Sequence, residues 1–498
     1  MDKADSFILA IDQSTSASKV MLFGRGAHLH DRVSIPHEQF YPEAGFVEHD
    51  PEEIFENVRN GMIQILRKNG LNEDHIAAVA ITNQRETAMI WDQNTGRPVH
   101  NAVVWQCQRG APFCHELKSR GLEKMVMEKT GLIIDPYFSA SKLRWLVHHV
   151  PGLREKKKTG TLMLGTMDSW LLWKLTGGKV HATDYSNACR TLLFNIRELK
   201  WDEELVTLFD LDGISLPEVR FSDELFGATD PAVLFSKPVP VAGLMGDSHA
   251  ALFGQNCFEP GMAKATYGTG SSIMMNIGKK PLPPPEGLVT SIGFGRNRSI
   301  DYVYEGNIHC TGDTISWLKN ELKLIGDAGE TEEIATSVSS SEGVYMVPAF
   351  VGLGAPYWDN EARASITGIS RHTGKAHIVR AVLESIAFQV NDLVELMQKD
   401  EAVQLRELRV DGGPTRNNFL MQFQADVLNR QVVRSAIEEI SALGATFMAG
   451  LATGFWKDIG EIEALDMKRE AFSPSMESTG RDNLVAGWKK AVERTRLR

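Results

Sequence analysis

The sequence predicts α/β layers arranged as two large, similar domains. At 498 residues the chain exceeds what one hydrophobic core serves, so two domains are expected. Strand-like and helix-like stretches alternate in both halves, which argues for sheets covered by helices. Each half also carries a hairpin-like turn crowded with hydroxyls and small residues. One is Ala10-Ile11-Asp12-Gln13-Ser14-Thr15-Ser16-Ala17-Ser18-Lys19, between apolar residues 7–9 and 20–22. The other is Lys264-Ala265-Thr266-Tyr267-Gly268-Thr269-Gly270-Ser271-Ser272, followed by Ile273, Met274 and Met275. Backbone N–H groups and hydroxyls at such turns cradle phosphate oxygens. One such turn is an ordinary loop; two, one per half, point to a nucleotide held between the domains.

In the first half, residues 7–11 and 20–23 read as strands. A helix opens after Asp50, with Asp50 as N-cap, Pro51 in the first helical position and Glu52 and Glu53 in the first turn. Ile54, Val58, Ile63 and Leu66 mark its inner face. Residues 76–81 and 88–91 read as strands and 139–149 as a helix carrying Leu143, Trp145 and Leu146. A strand begins near 238 and ends at Gly246-Asp247. After Phe258-Glu259-Pro260-Gly261 a second strand system begins, so the domains are expected over 1–254 and 255–498. The second half holds a helix at 380–398, a strand-turn-helix at 408–428 and a last helix at 441–451, whose Ala442, Ala445, Ala449 and Gly450 permit close packing.

Composition narrows the function. The chain has 53 basic and 64 acidic residues, a net charge of −11, which disfavours a nucleic-acid surface. Its five cysteines are odd in number and lack metal-ligand spacing, as expected in a reducing compartment. No apolar run reaches membrane-spanning length, and the acidic start Met1-Asp2-Lys3-Ala4-Asp5 is not a signal peptide. A cytoplasmic protein without membrane insertion is expected.

Several residues could carry chemistry. Asp247 closes an apolar strand before a helix at 248–254. An ionised carboxylate there could take a proton from a hydroxyl attacking a phosphoryl group, or simply cap the helix. Asp12 could hold a magnesium ion through water, or brace its own turn. Residues 81–87, Ile-Thr-Asn-Gln-Arg-Glu-Thr, place Arg85 beside Glu86, a donor and an acceptor suited to neighbouring hydroxyls of a polyol; the alternative is a surface hairpin with an ion pair. Trp105 and Tyr137 could wall such a site, or be core. Asp411-Gly412-Gly413-Pro414-Thr415-Arg416-Asn417 is a third nucleotide-type turn, its paired glycines letting a flat ring or phosphate approach the backbone.

These stretches, with Gly45-Phe46-Val47-Glu48-His49-Asp50-Pro51, Val104-Trp105-Gln106-Cys107, Ile134-Asp135-Pro136-Tyr137-Phe138-Ser139, Thr183-Asp184-Tyr185, residues 348–358 and residues 364–384 (Gly368, His377, Ala381 and Glu384 in place), resemble the FGGY carbohydrate kinase family over almost the whole chain. The resemblance implies two RNase H-like domains of the actin-like ATPase type with an ATP cleft between them. It implies ATP and Mg2+ as cofactors, with phosphorylation of a primary hydroxyl of a small polyol, glycerol to glycerol 3-phosphate first. Asp247 would be the general base. Arg85, Glu86, Trp105, Tyr137, Asp247, Ser248 and Ser272 would bind the polyol. Thr15, Ser16, Lys19, Thr269, Gly312, Ser316, Gly413 and Asn417 would meet the nucleotide, and Asp12 the magnesium. A homo-oligomer is left open.

The chain departs from the pattern of glycerol-phosphorylating members. Ser14 replaces a Gly and Lys19 an Arg, so a phosphate there would meet a point charge instead of a bidentate fork. His148 replaces an acidic residue. Ser248 replaces a Gln and Ser272 a Phe, removing volume beside the substrate carbons. A four- or five-carbon polyol or a sugar is therefore the alternative substrate. An actin-like ATPase that transfers no phosphate to a sugar is the alternative of another class; it leaves 81–87 without a purpose. A sugar sensor without catalysis would not need Asp12, Asp247 and three nucleotide turns together.

Overall fold

The computed structural model describes residues 6–359, 361–399 and 403–497. Two mixed sheets organise it. The first is built from β1 (Phe7–Gln13), β2 (Ala17–Phe23), β3 (Leu29–Pro36), β4 (Ile76–Asn83), β5 (Leu225–Ala228) and β6 (Pro240–Gly246), in the order β5-β6-β4-β1-β2-β3. The β1–β2–β3 run is antiparallel, whereas β4 and β6 join β1 in parallel. The second sheet contains β7 (Met262–Tyr267), β8 (Ser271–Gly278), β9 (Val289–Arg296), β10 (Ser299–Ile308), β11 (Glu407–Asp411), β12 (Gln431–Ser435) and β13 (Arg469–Phe472). Its order is β9-β10-β8-β7-β11-β12-β13. Here too an antiparallel hairpin, β7–β8, is followed by parallel strands, β11 and β12. Both sheets thus aim the C-terminal ends of parallel strands at one region, where α/β folds bind ligands. This is a two-domain α/β fold.

Local chemistry sets the helices. In α1 (Pro51–Asn69) the Asp50 carboxylate accepts the Glu52 N–H at 2.9 Å, and Gly70 closes the helix at φ 65°. The buried face uses Ile54, Val58, Met62, Ile65 and Leu66, so the expected Ile63 lies one position off the stripe. Helix α2 (Ser139–His149) follows the loop that carries Tyr137, and α3 (Asp247–Gly254) follows β6. The second half adds α4 (Gly312–Asn320), α5 (Lys375–Met397), α6 (Asn418–Leu428) and α7 (Ile440–Thr453).

Two expectations need correction. Helix α7 is not the last: Ile459–Glu463 and α8 (Ser478–Arg496) follow. Only Trp488, Ala491 and Val492 of α8 are buried, too thin an apolar stripe to read as a core helix. Moreover, α7 packs against β1, β4 and β6 of the first sheet, although it follows the second sheet's strands in the chain. A side chain at Gly444 would run into the Ala250 carbonyl, so the small residues do bring α7 and α3 close.

Candidate active site

Residues 82–87 are buried, so the surface-hairpin alternative fails. Glu86 turns the chain at a positive φ of 61°. Its carboxylate accepts the Arg190 Nε–H at 2.6 Å. Arg190 Nη1 donates to Glu305 Oε2 at 2.7 Å, and Arg85 Nη2 to Glu305 Oε1 at 2.9 Å. Burial alone would neutralise Glu305, but Arg190 and Arg85 outweigh it and hold the carboxyl far below the usual carboxylate range. Two buried cations thus face two buried anions, an arrangement tolerable only because nearly every charge is paired.

Asp247 joins this network from outside, its Oδ1 lying 3.3 Å from Arg85 Nε. Its side chain is 40% exposed, against 1% for Glu86 and Glu305. It occupies the first turn of α3, after Gly246 at the N-cap, and its Oδ1 accepts the Ser248 N–H at 2.6 Å. The carboxylate thus serves one N–H of the helix start, as the capping alternative expects, and still stands accessible beside a fixed guanidinium. The neighbouring His249 is buried, and burial beside Arg85 keeps its imidazole neutral, well below the usual histidine range.

Tyr137 and Trp105 meet edge to face, with ring centroids 5.6 Å apart. Burial lifts the Tyr137 phenol well above its ordinary range, so it stays a hydroxyl donor. Trp105 Nε1 donates to Thr15 Oγ1 at 3.0 Å, tying this aromatic wall to the first hairpin turn. There Lys19, opposite Asp12 in register, sits 3.6 Å from Asp12 and 2.9 Å from Glu439. Burial pushes the Asp12 carboxyl up to about 6, Lys19 pulling the other way. A buried carboxylate left short of positive charge is what a cation would complete.

The second and third turns meet around a cavity of about 650 Å³, lined by Thr269, Gly312, Ser316, Gly413 and Asn417 with Tyr267 and Ile315 among others. Thr15, Ser16 and Lys19 do not line it; they belong to the first hairpin. The cavity is shaped by backbone. Gly412 stands at φ 102°, where a side chain would meet the Tyr267 carbonyl, and a Cβ on Gly312 would lie 2.7 Å from the Gly268 oxygen. At Gly413 a Cβ would meet nothing within 4 Å, so the space above it is free for a ligand. These features fit a flat ring and its phosphates. Asn417 is the N-cap of α6, accepting the Leu420 N–H at 2.9 Å, and lines the cavity as well. Asp411, beneath, accepts from Gln255 at 3.1 Å and Thr266 at 3.3 Å.

Family models decide the lineage. The N-terminal domain model of the FGGY family of carbohydrate kinases matches residues 7–254, and its C-terminal domain model matches 263–453. The chain belongs to the FGGY family of carbohydrate kinases. Glycerol kinase 1 of Thermotoga maritima is 52% identical over 488 residues, 98% of this chain and 99% of that one. Glycerol kinase of Alkaliphilus metalliredigens is 50% identical over 98% of each chain. Among solved structures, Plasmodium falciparum glycerol kinase with ADP superposes with a TM-score of 0.94 at 37% identity, over 99% of both chains. Gluconate kinase from Lactobacillus acidophilus shares the fold at a TM-score of 0.87 and 20% identity, over 98% of both. The protein is an ATP-dependent carbohydrate kinase.

For this FGGY kinase the sequence alone assigned no role to Arg190, Glu305, Lys142 or Lys264. Arg190 and Lys264 each stand alone among small and apolar residues, the one local signal that pointed to them. Lys142 is buried in α2 and donates to three successive carbonyls: Pro136 at 2.9 Å, Phe138 at 3.1 Å and Tyr137 between them. Burial pulls its ammonium down to about 8. Lys264 Nζ lies 3.5 Å from Ser272 Oγ, so the hydroxyl that stands here is within reach of a buried ammonium. The Glu342, His372 and His377 cluster has metal-like spacing. However, His377 Nδ1 accepts the Gly374 N–H at 3.0 Å, which leaves the neutral ring's proton on Nε2, 3.9 Å from Glu342. That cluster braces the start of α5.

Proposed function

We propose that this kinase transfers the γ-phosphoryl group of ATP to a primary hydroxyl of glycerol, giving glycerol 3-phosphate. The Arg85–Asp247 pair carries the reading: an open carboxylate held 3.3 Å from a buried guanidinium whose other nitrogens are anchored on Glu305. Near-complete alignment with relatives named glycerol kinase supports the acceptor.

In this reading Arg85 and Glu86 fix the acceptor's hydroxyls, Tyr137 and Trp105 wall its carbons, and Ser248 and Ser272 face it from the other side. The terminal hydroxyl then points at Asp247, whose carboxylate takes its proton as the oxygen attacks phosphorus. Residues of 255–498 (Thr269, Gly312, Ser316, Gly413, Asn417) hold the nucleoside side of ATP. The first turn, in 1–254, meets the phosphate end through Thr15, Ser16 and Lys19. Mg2+, held near Asp12, would neutralise charge on the phosphates. Closure of the halves over both substrates would exclude water from the transfer. No described helix is long and apolar enough to cross a membrane, and the five free, buried cysteines fit a reducing compartment such as the cytoplasm.

A coupled assay of ADP release over glycerol, four- and five-carbon polyols, and sugars tests the proposal. Glycerol-dependent ADP release with glycerol 3-phosphate as product is expected. ADP release unaffected by any polyol would overturn it in favour of a plain ATPase.

A further inference from the structure

We infer that Lys264 is a further positioning residue of the phosphoryl transfer: its buried ammonium lies under the floor of the cleft and turns the Ser272 hydroxyl toward an oxygen of the arriving phosphoryl group. The inference rests on the proposed reading of Asp247 as the base and of the second turn as a nucleotide turn.

Lys264 stands on β7 between Ala263 and Ala265, on the same face as Thr266. Thr266 is the register partner of Ser272 on β8 and of Asp411 on β11. Thr266 and Ser272 sit just below the tip at 268–270 and are half-buried, whereas Lys264 beneath them is fully buried. Its Nζ lies 3.2 Å from Thr266 Oγ1 and 3.5 Å from Ser272 Oγ. Asp411 acts on its charge from the third turn, and Arg85, Glu305 and Asp247 act on it from the acceptor side. The ammonium therefore stands between the two ends of the reaction.

Its surroundings are poor for a buried cation. Arg85, Arg190 and Arg109 each hold a carboxylate, at 2.9, 2.6 and 2.6 Å, and Lys142 holds three carbonyls. Among the described residues Lys264 has two hydroxyls and no carboxylate within 4 Å. Burial accordingly pulls its ammonium below the ordinary lysine range, although Asp411 opposes this. A charge buried on these terms costs the fold stability, so its place in the cleft calls for a role in function.

Hydrogen-bond directions supply that role. An ammonium only donates, so the Thr266 and Ser272 oxygens accept from it and each hydroxyl proton must point elsewhere. Thr266 donates to Asp411 Oδ2 at 3.3 Å. Ser272 has no acceptor among the described residues, which leaves its proton for the cleft. A hydroxyl polarised in this way binds best to an oxygen that is charged and carries no proton. Phosphoryl oxygens meet that description; polyol hydroxyls do not. Lys19 is paired with Glu439 and Arg85 with Glu305, whereas the Lys264 charge has no direct partner to cancel it.

The test uses the full-length enzyme with Lys264→Met, which keeps length and removes charge, with Ser272→Ala, and with both together. All rates are taken with the polyol that the wild type turns over best. In Lys264→Met, kcat should fall about tenfold or more, less than the loss of a donor in direct contact. KM for ATP and for the polyol should stay within about threefold of wild type, and Tm should be no lower. Ser272→Ala should lower kcat by itself but add little to Lys264→Met, because one group acts through the other. A kcat within about threefold of wild type in Lys264→Met overturns the proposal. So does a loss confined to KM for the polyol, which would make the pair an acceptor contact. Simply additive losses in kcat with a lowered Tm also overturn it and leave Lys264 a brace. A wild type that prefers another polyol to glycerol would drop the glycerol reading while the same ratios still judge Lys264, and ATP hydrolysis without any acceptor would overturn both.

Discussion

The two hairpin turns occupy equivalent places, each at the tip of the antiparallel pair beside parallel strands, yet they are built from different materials. The first is built from side chains: Asp12 faces Lys19, Lys19 reaches Glu439, and Thr15 receives the Trp105 indole. The second is built from backbone. Thr311 and Gly312 N–H groups donate to Thr269 and Gly268 carbonyls at 2.8 and 2.9 Å, and a side chain at Gly270 would run into the Ile308 carbonyl. Titratable charge therefore gathers at the first turn and beside Asp247 and Arg85, with Glu439 and Glu305 supplied from the second half, whereas the second turn contributes shape. One supporting topology thus carries titratable side chains at one turn and a closely packed backbone at the other.

The largest effect should come from the charged half. Asp247→Asn keeps the shape of the side chain but removes its ability to accept a proton. Turnover should fall at least ~10²-fold while nucleotide binding, followed by calorimetry, persists. Near-wild-type turnover would remove Asp247 from the chemistry and leave the charged half without its reacting group.

On the backbone-built side, two adjacent glycines should separate. Gly412→Ala forces a side chain onto a φ of 102° and into the Tyr267 carbonyl. It should cost at least about 1–3 kcal/mol of stability, seen as a lower Tm. Gly413→Ala meets no protein atom within 4 Å, so its Tm should hold while the KM for ATP rises severalfold, because the methyl enters the ligand's space. Equal Tm losses in both variants, with KM for ATP unmoved, would mean that the third turn is a structural connection.

The legible parts of this molecule were those written in local patterns. Asp50-Pro51 announced α1, and the hydroxyl-rich tips flanked by apolar residues announced both hairpins. Asp247 after an apolar strand and Arg85-Glu86 inside a buried turn were visible for the same reason. What escaped needs long-range contact. Glu305 matters because Arg85, 220 positions away, and Arg190, 115 positions away, reach it in space. Similarly, Lys142 looks like one more helical lysine until three carbonyls of the Tyr137 loop converge on it. Helix α7 packs on the first sheet through small residues, a signal that says "close" but not against what.

Lys142 offers a smaller effect that sharpens the comparison, since here a side chain organises backbone. Lys142→Met keeps the length and removes the donor. Three carbonyls of the Tyr137 loop then lose their partner inside the protein, and an unsatisfied buried group costs about 1–3 kcal/mol. The loop should shift, raising KM for the polyol severalfold with a smaller change in kcat. A lowered Tm with KM unchanged would make Lys142 a brace for α2 with no part in placing Tyr137.

The smallest effect concerns the pH response of the first turn. Burial sets the Asp12 carboxyl at about 6 against an ordinary 3.8. Between pH 4 and 6 the folded chain therefore keeps a proton that the unfolded chain has released. That advantage is complete below about pH 4 and is lost as pH rises through about 6, where the ionised carboxylate becomes a cost to the fold. The shift corresponds to at most about 3 kcal/mol. Asp168 and Asp392 are also raised by burial, to about 6 and about 7, so the wild-type curve alone would not isolate Asp12. The difference between wild type and Asp12→Asn does. From pH 4 to pH 7 the wild type should lose Tm relative to the variant. Adding MgCl2 with a non-hydrolysable ATP analogue at pH 7 should return part of that loss to the wild type only, because a cation there compensates the buried charge. Parallel melting curves for the two proteins across this range, with equal responses to MgCl2, would show that Asp12 braces its own turn and that the charged half meets no metal through it.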